Sequence, residues 1–424
     1  MIRRKAIFFF LFLPLVALMS SKKGEDGFVL TEDYPCVHYD KNVIGNAAAL
    51  NKYFKAIDEL VSGKRDKLRI VHIGDSHIQA DYLTHTTRQL LQKTYGNGGR
   101  GFVFPYRLLR SNNPENIKIS ATGDWDGCVS TSYRTQCNFG ICGASTSTYD
   151  STASLKIDPD RYRAMNYDFS RLDIFHFGNP NAPRFRFLNG DSSELEVDII
   201  KESNSISSAH FTSDQDSMWL AFEKRDTYDF VQLFGLSFEN DDRGVIYHSI
   251  GLNGAHVQSY LRNQFFDEQL QHLNADLIII SLGTNDGYMS SRRFCDGCFK
   301  DNYSYFLTKI RERNPEASIL LTTPGDYYRR RRYHDINQRQ VVRVIGELSE
   351  KHETGIWDFN SIMGGSYAIK DWVRNGLARY DLVHYTEDGY VLQGKLLYDA
   401  LMKADFARIE PAKPEKEVTQ TEDQ

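Results

Sequence analysis

Three side chains, far apart in the chain, have the types and settings that acyl transfer needs. Ser76 lies in "RIVHIGDSHIQAD" (residues 69–81), where a β-branched run gives way to Gly74-Asp75-Ser76 and then to a helix-compatible stretch. A serine there either caps the helix, a common job for serine, or attacks a carbonyl with the helix amides facing the developing negative charge. As a nucleophile it requires a base, and the base requires an orienting partner. "ARYDLVHYTEDGY" (378–390) supplies Asp381 and His384, three residues apart on what reads as one turn. At that spacing a carboxylate reaches the near nitrogen of the imidazole and leaves the far nitrogen for another partner. Donors for an oxyanion come from Asn285 in "SLGTNDGY" (281–288) and from Gly254 in "SIGLNGAHV" (249–257), with the Ser76 amide as the third. Singly, each has a plainer explanation as a helix cap, an exposed turn or an Asn-Asp-Gly bend.

The elements around these residues place them on a common edge. Residues 68–73, 244–251, 275–283, 318–323 and 355–359 read as buried strands. They alternate with helical patterns at 46–62, about 77–94, 303–313, 336–352 and 386–404, the last capped by Thr386 with Glu387 and Asp388 in its first turn. Strands alternating with helices argue a parallel sheet covered on both faces, whose ligands gather at the carboxyl ends of the strands. Ser76, Gly254 and Asn285 each follow such a strand. The glycine-rich "YGNGGRGFVFP" (95–105) reads as a loop that lets backbone come close to something.

Between 111 and 243 the texture changes to short stretches such as "LDIFHFGN", "PRFRFLNG" and "FVQLFGLSF", set between Gly, Asn, Asp and Ser clusters. No helical period persists, which is the pattern of an all-β sandwich. The expected architecture is an α/β fold, a three-layer parallel sheet formed by residues 40–110 and 244–405, interrupted by a β-sandwich at 111–243. Trp125, Tyr133, Tyr149 and Trp219 in the β stretch are candidates to stack on sugar rings, or else core residues. The basic run "DYYRRRRYHD" (326–335) falls near the same strand edge and reads first as a solvated loop, second as an attractor for anionic glycan or peptide carboxylates.

Composition bounds the rest. The chain has 424 residues, 41% hydrophobic and 25% charged, with a net charge of −5. These are ordinary for a globular protein and exclude the basic excess of a nucleic-acid binder. Arg3-Arg4-Lys5, an apolar run from Ala6 to Met19 and the small residues Ser20-Ser21 make a secretory signal peptide over residues 1–20. The run is short for a membrane span of ~20 residues, so the expected location is periplasmic or secreted, with no integral span after cleavage. Six cysteines suit that compartment as disulfides, with Cys137/Cys142 and Cys295/Cys298 as close pairs, although which bonds with which stays open. The tail 410–424 has almost no apolar content and reads as disordered. No phosphate-binding, dinucleotide or H-E-x-x-H motif is present, so no metal and no cofactor is implied.

In combination the motifs become specific. Gly74-Asp75-Ser76, Gly254, Gly283-Thr284-Asn285-Asp286 and Asp381-x-x-His384 occur in the order of the four motif blocks of the SGNH (GDSL) hydrolases, which the chain resembles over roughly 45–105 and 245–405. The resemblance implies a flavodoxin-like sheet, Ser76 as nucleophile, His384 as base and Asp381 as its orienter. It also implies Ser76, Gly254 and Asn285 as the oxyanion hole. One departure is His77, which stands where the name-giving Leu would be. "GDSHIQAD", "NGA" and a β stretch after the first block look like the branch containing bacterial peptidoglycan O-acetylesterases. The expected activity is therefore a serine esterase that removes O-acetyl groups from a glycan, peptidoglycan foremost. The alternatives are an acetylxylan or other carbohydrate esterase, an O-acetyltransferase on the same triad, and a non-catalytic glycan-binding protein.

Overall fold

The structure, a computed structural model, describes residues 30–409 except 32, 135, 163–164, 178–183, 224–229 and 335. The signal peptide and the disordered tail expected from the sequence lie outside the described residues.

Five strands form the parallel core of the first sheet: β1 (Lys67–Gly74), β2 (Gly244–Gly251), β3 (Leu277–Ser281), β4 (Ser318–Thr322) and β5 (Gly355–Trp357). Their spatial order is 2-1-3-4-5, the order of the flavodoxin-like doubly wound fold. The short strands Ile44–Gly45 and Asn97–Gly99 close the two edges. These strands are apolar on both faces because helices cover both, which is why "LIII" in β3 does not alternate. One polar group in β1 is matched by its neighbours: His72 meets the Tyr247 hydroxyl and Ser281 Oγ, each at 2.7 Å. Burial pushes that imidazole down to about 3, so it is a neutral core residue.

The register explains why the motif blocks meet. Gly74 at the end of β1 lies level with Gly251 of β2 and Ser281 of β3. The chain leaving β1 therefore emerges between the loops that carry Gly254 and Asn285, at the point where the strand order reverses.

Two sequence expectations are corrected in detail. The single helix over 77–94 is two, Ser76–Gln79 and Tyr82–Tyr95, broken where Asp81 adopts a left-handed conformation (φ 62°). Asp81 turns there because its buried carboxylate binds Arg88 (2.7 Å), Arg100 (2.6 Å) and Asn116 (3.0 Å). Burial opposes its charge, but Arg100 and Arg88 hold it far below the usual carboxylate range. The glycine-rich stretch after it is not a free loop but the strands Asn97–Gly99 and Gly101–Val103. What its backbone approaches is β2: a Cβ on Gly98 would stand 2.9 Å from the Gly244 carbonyl oxygen.

The β-rich region forms two antiparallel sheets. The smaller orders Arg184–Leu188, Met218–Glu223, Ser154–Asp158 and Lys118–Thr122. The larger runs from Val197–Lys201 through Ile206–Gln215, Phe169–His176, Val231–Glu239 and Ala144–Thr148 to Asp126–Val129, and Gly101–Val103 joins it beside Val231–Glu239. Leu155, Ile157, Phe187 and Leu220 of the first pack on Phe169, Leu172, Ile174 and Phe238 of the second. The far face of the larger sheet is covered too: Phe102, Phe175 and Phe234 share a core with Val257, Phe266 and Leu270 of the helices after β2. Cys128 is bonded to Cys137 and Cys295 to Cys298, while Cys36 and Cys142 are free. Thus Cys137 pairs with the residue nine positions before it and not with its neighbour Cys142, a buried thiol pushed up to about 12.

Candidate active site

At the reversal point of the sheet, Ser76 Oγ lies 3.0 Å from His384 Nε2, and His384 Nδ1 lies 2.8 Å from Asp381 Oδ2. The Asp381–His384 turn is built for this. Asp381 Oδ1 accepts the backbone N–H groups of Val383 and His384, both at 2.9 Å, leaving Oδ2 for the imidazole. Burial alone would raise the Asp381 carboxyl, but the amide and imidazole hydrogen bonds from His384 outweigh it and hold the carboxyl below its ordinary range. The turn itself requires a left-handed Leu382 (φ 58°), whose carbonyl is tied to the Tyr328 N–H at 2.8 Å. Thr386 Oγ1 accepts the Gly389 N–H at 3.2 Å, capping the closing helix Glu387–Ile409. All three residues expected to act together are brought together.

The expected oxyanion donors converge on the same spot. Ser76 is the first residue of its short helix, where a backbone N–H has no intrahelical acceptor. Gly254 is exposed with φ 76°, and a Cβ there would meet nothing within 4 Å, so it borders open space. Asn285 also lines the cleft, and its Nδ2 hydrogens are directed to the Ala255 carbonyl (2.9 Å) and to Asp75 Oδ2 (3.2 Å).

Several residues of the site carry roles that motif reading did not assign. Asp75 accepts the His77 N–H on Oδ1 and Asn285 on Oδ2, pinning the serine loop to the asparagine loop; burial pushes its carboxyl up to about 6. Gln79 accepts the Asn253 N–H (2.7 Å) and donates to Ser111 Oγ (2.9 Å), and so fixes the Gly254 loop against the start of the β-rich region. Asp286 accepts the Val257 N–H on Oδ1 at 3.1 Å, and burial pushes its carboxyl up to about 7. His77, at the position where the motif departs from the family pattern, bonds Tyr390 OH at 2.9 Å and packs 5.3 Å from the His384 ring. Burial and the neighbouring His384 push its imidazole down to about 3, so it packs against His384 as a neutral ring. Gln79 and Asp81 stand in "GDSHIQAD", so proximity to the serine was the available signal.

The cleft has two halves that share Ser76, Asn285 and His384. One, of about 390 Å³, is lined by Thr284, Tyr288, Arg330, Arg331 and Val383. The other, of about 620 Å³, is lined by Tyr82, Asn112, Asn113, Asn253, Gly254 and Tyr390, with Glu115 and Arg379. The basic run thus contributes two of its arginines to the site wall. Of the β-region aromatics, Trp125 packs edge-on against Phe222 (5.7 Å between centroids) at the sandwich core, and Lys156 lies 5.6 Å over Trp219. Tyr133 and Tyr149 are exposed and border a separate cleft with Phe230 and Arg262.

A flavodoxin-ordered sheet thus presents hydroxyl, imidazole and carboxylate in hydrogen-bonded series at its switch point, an arrangement able to support serine acyl transfer. Residues 223–392 match the family model of the GDSL-like lipase/acylhydrolase family. The matched segment contains Gly254, Asn285, Asp381 and His384 and begins after Ser76. No curated protein matches the chain. Among solved structures, one of a peptidoglycan O-acetylesterase superposes with a TM-score of 0.72 at 20% identity, covering 86% of this chain and 98% of its own. The shared fold therefore extends through the β-rich region as well as the parallel sheet. A lipase/acylhydrolase from Enterococcus faecalis (19% identity, 39% of this chain and 78% of its own) gives a TM-score of 0.31. The acetyl xylan esterase AlAXEase (20%, 37% and 80%) gives 0.30.

Proposed function

We propose that this protein is an exported serine esterase that removes O-acetyl groups from a glycan, peptidoglycan foremost, through an acyl-enzyme on Ser76. The observation that carries the reading is the relay from Ser76 Oγ through His384 to Asp381, at 3.0 and 2.8 Å. His384 Nε2 takes the Ser76 proton as Oγ bonds to the acetyl carbon. Asp381 holds the ring so that Nδ1 keeps its proton and stabilises the imidazolium that forms. The tetrahedral oxyanion is met by the amides of Ser76 and Gly254 and by Asn285 Nδ2, donors worth roughly 3–4 kcal/mol each in such holes. Collapse breaks the bond to the sugar oxygen, which leaves with the proton from His384. Water, deprotonated by the same nitrogen, then releases acetate and restores Ser76.

The fold shared with a peptidoglycan O-acetylesterase favours peptidoglycan among acetylated glycans, and the N-terminal sequence favours export. The test is acetate release from O-acetylated peptidoglycan and from acetylated xylan, by the mature protein and its Ser76→Ala variant. Release should be preferential from peptidoglycan and fall by ~10⁴-fold or more in the variant. Release that survives the substitution would sink the assignment of Ser76, and preference for xylan would overturn the substrate.

A further inference from the structure

The two halves of the cleft differ in charge. In the larger half the polar wall is neutral, from Asn112, Asn113 and Asn253, and its charged residues, Glu115 and Arg379, are one of each sign. In the smaller half the carboxylate is Asp381, already engaged by His384 and two amides. Facing it are Arg330 and Arg331, and among the described residues neither guanidinium has a carboxylate partner. Their neighbours in the run are used differently: Arg329 and Arg332 stack over Tyr333 at 4.8 and 5.8 Å.

The backbone holds this pair in place at a cost. Arg330 and Arg331 both adopt left-handed conformations (φ 54° and 60°), where glycine or asparagine is the ordinary choice. Strain of this kind persists where the surrounding structure over-determines it and clusters at ligand clamps. Here the tight turn closes between Arg329 and Tyr333. It is fastened to the catalytic turn by the Tyr328 N–H on the Leu382 carbonyl and to the cleft wall by the Arg330 N–H on Tyr288 OH, each at 2.8 Å. A merely solvated basic loop needs no such mooring to the residues beside the nucleophile. Planar guanidinium forks are suited to carboxylates, which they bind bidentately.

We propose that Arg330 and Arg331 form a carboxylate-recognition subsite, so that the glycan deacylated at Ser76 carries a free carboxylate close to its ester. This rests on the esterase reading above and narrows it, since stem-peptide carboxylates satisfy the subsite and a neutral acetylated polysaccharide does not.

The test separates binding from turnover. The Ser76→Ala protein is titrated by calorimetry with muramyl dipeptide, whose peptide ends in a free carboxylate, and with the same compound amidated there. Titrations are repeated after adding Arg330→Asn with Arg331→Asn, and separately Arg330→Lys with Arg331→Lys. Asparagine tolerates the left-handed backbone, so the thermal midpoint should hold and loss of fold is excluded. The acid should bind ~10-fold or more tightly than the amide, a preference that weakens with added salt because the pair is exposed. The asparagine pair should abolish that preference and the lysine pair should keep part of it. Equal affinity for acid and amide, a preference that persists in the asparagine pair, or no binding of either compound would each overturn the subsite. Hydrolysis of p-nitrophenyl acetate by the same proteins with Ser76 intact is the separate control. Its absence would count against the esterase while leaving the binding result to stand.

Discussion

The surroundings of the cleft and the space between the two antiparallel sheets are packed with different kinds of contact. Around the cleft, buried carboxylates and imidazoles form connected sets: Asp75 with Asn285, Asp81 with two arginines, His72 with Tyr247 and Ser281. Between the two antiparallel sheets the contacts are aromatic and aliphatic, as in Phe169 against Phe211 and Phe238, at 5.5 and 4.9 Å between centroids. Buried polar groups fix geometry only when each is satisfied, and they are costly otherwise. Around the cleft they fix the direction of the side chains beside Ser76 and Asn285. Between the two antiparallel sheets burial is non-directional and holds a shape without specifying the direction of any hydrogen bond.

Substitutions should separate these two modes. The largest expected effect is on chemistry alone: Asp381→Asn leaves a side chain of the same size but no longer secures the imidazole tautomer. Acetate release should then fall by ~10³–10⁴-fold with little change in the thermal midpoint. Phe169→Ala should do the reverse, costing about 3–5 kcal/mol of stability in chemical denaturation while kcat of the folded fraction holds. A drop in kcat matching the loss of stability would mean that the sandwich tunes the cleft directly.

The smallest effect concerns pH. The Asp286 carboxyl is pushed from 3.8 in the unfolded chain up to about 7 in the fold, and its buried Oδ2 lacks a partner among the described residues. Between roughly pH 4 and 7 the native state holds a proton that the unfolded state has lost. Its contribution is full below that window and is lost as pH rises through it, by up to about 4 kcal/mol. Asp286→Asn should flatten the fall in urea midpoint between pH 4 and 7. A residual slope from Asp75, pushed up to about 6, should remain. An unchanged slope would show that Asp286 is ionised in the fold.

The catalytic edge was readable because its signals are local. Ser76, Gly254 and Asn285 each directly follow an apolar strand, and Asp381 and His384 share one turn. What escaped depends on partners distant in the chain. Nothing near Asp81 announces that Arg100 and Asn116 will reach it and break the helix. The basic run gave no sign that its mooring would be Tyr288 and Leu382, 42 and more residues away on either side. The β-rich texture was legible as strands, but strand order was not, because antiparallel pairing joins segments such as Gly101–Val103 and Leu236–Phe238 that have no common sequence signal.

The larger antiparallel sheet, packed on both faces, bears on how such a chain could be re-engineered. Ile141, Cys142, Ala144, Phe175 and Phe234 sit in one cluster with Val71, Ile73 and Ile280 from beneath the cleft. Gln79 and Asn253 are hydrogen-bonded to Ser111 and Asn112 at its entrance. A segment joined in this way is not a cassette. Trading it for a foreign sandwich would strip the floor from the catalytic layer, so a working chimera must import the facing helical residues together with the sheet. Variation in this lineage should accordingly collect on the outer rim of the smaller sheet, where loops can change without disturbing that joint.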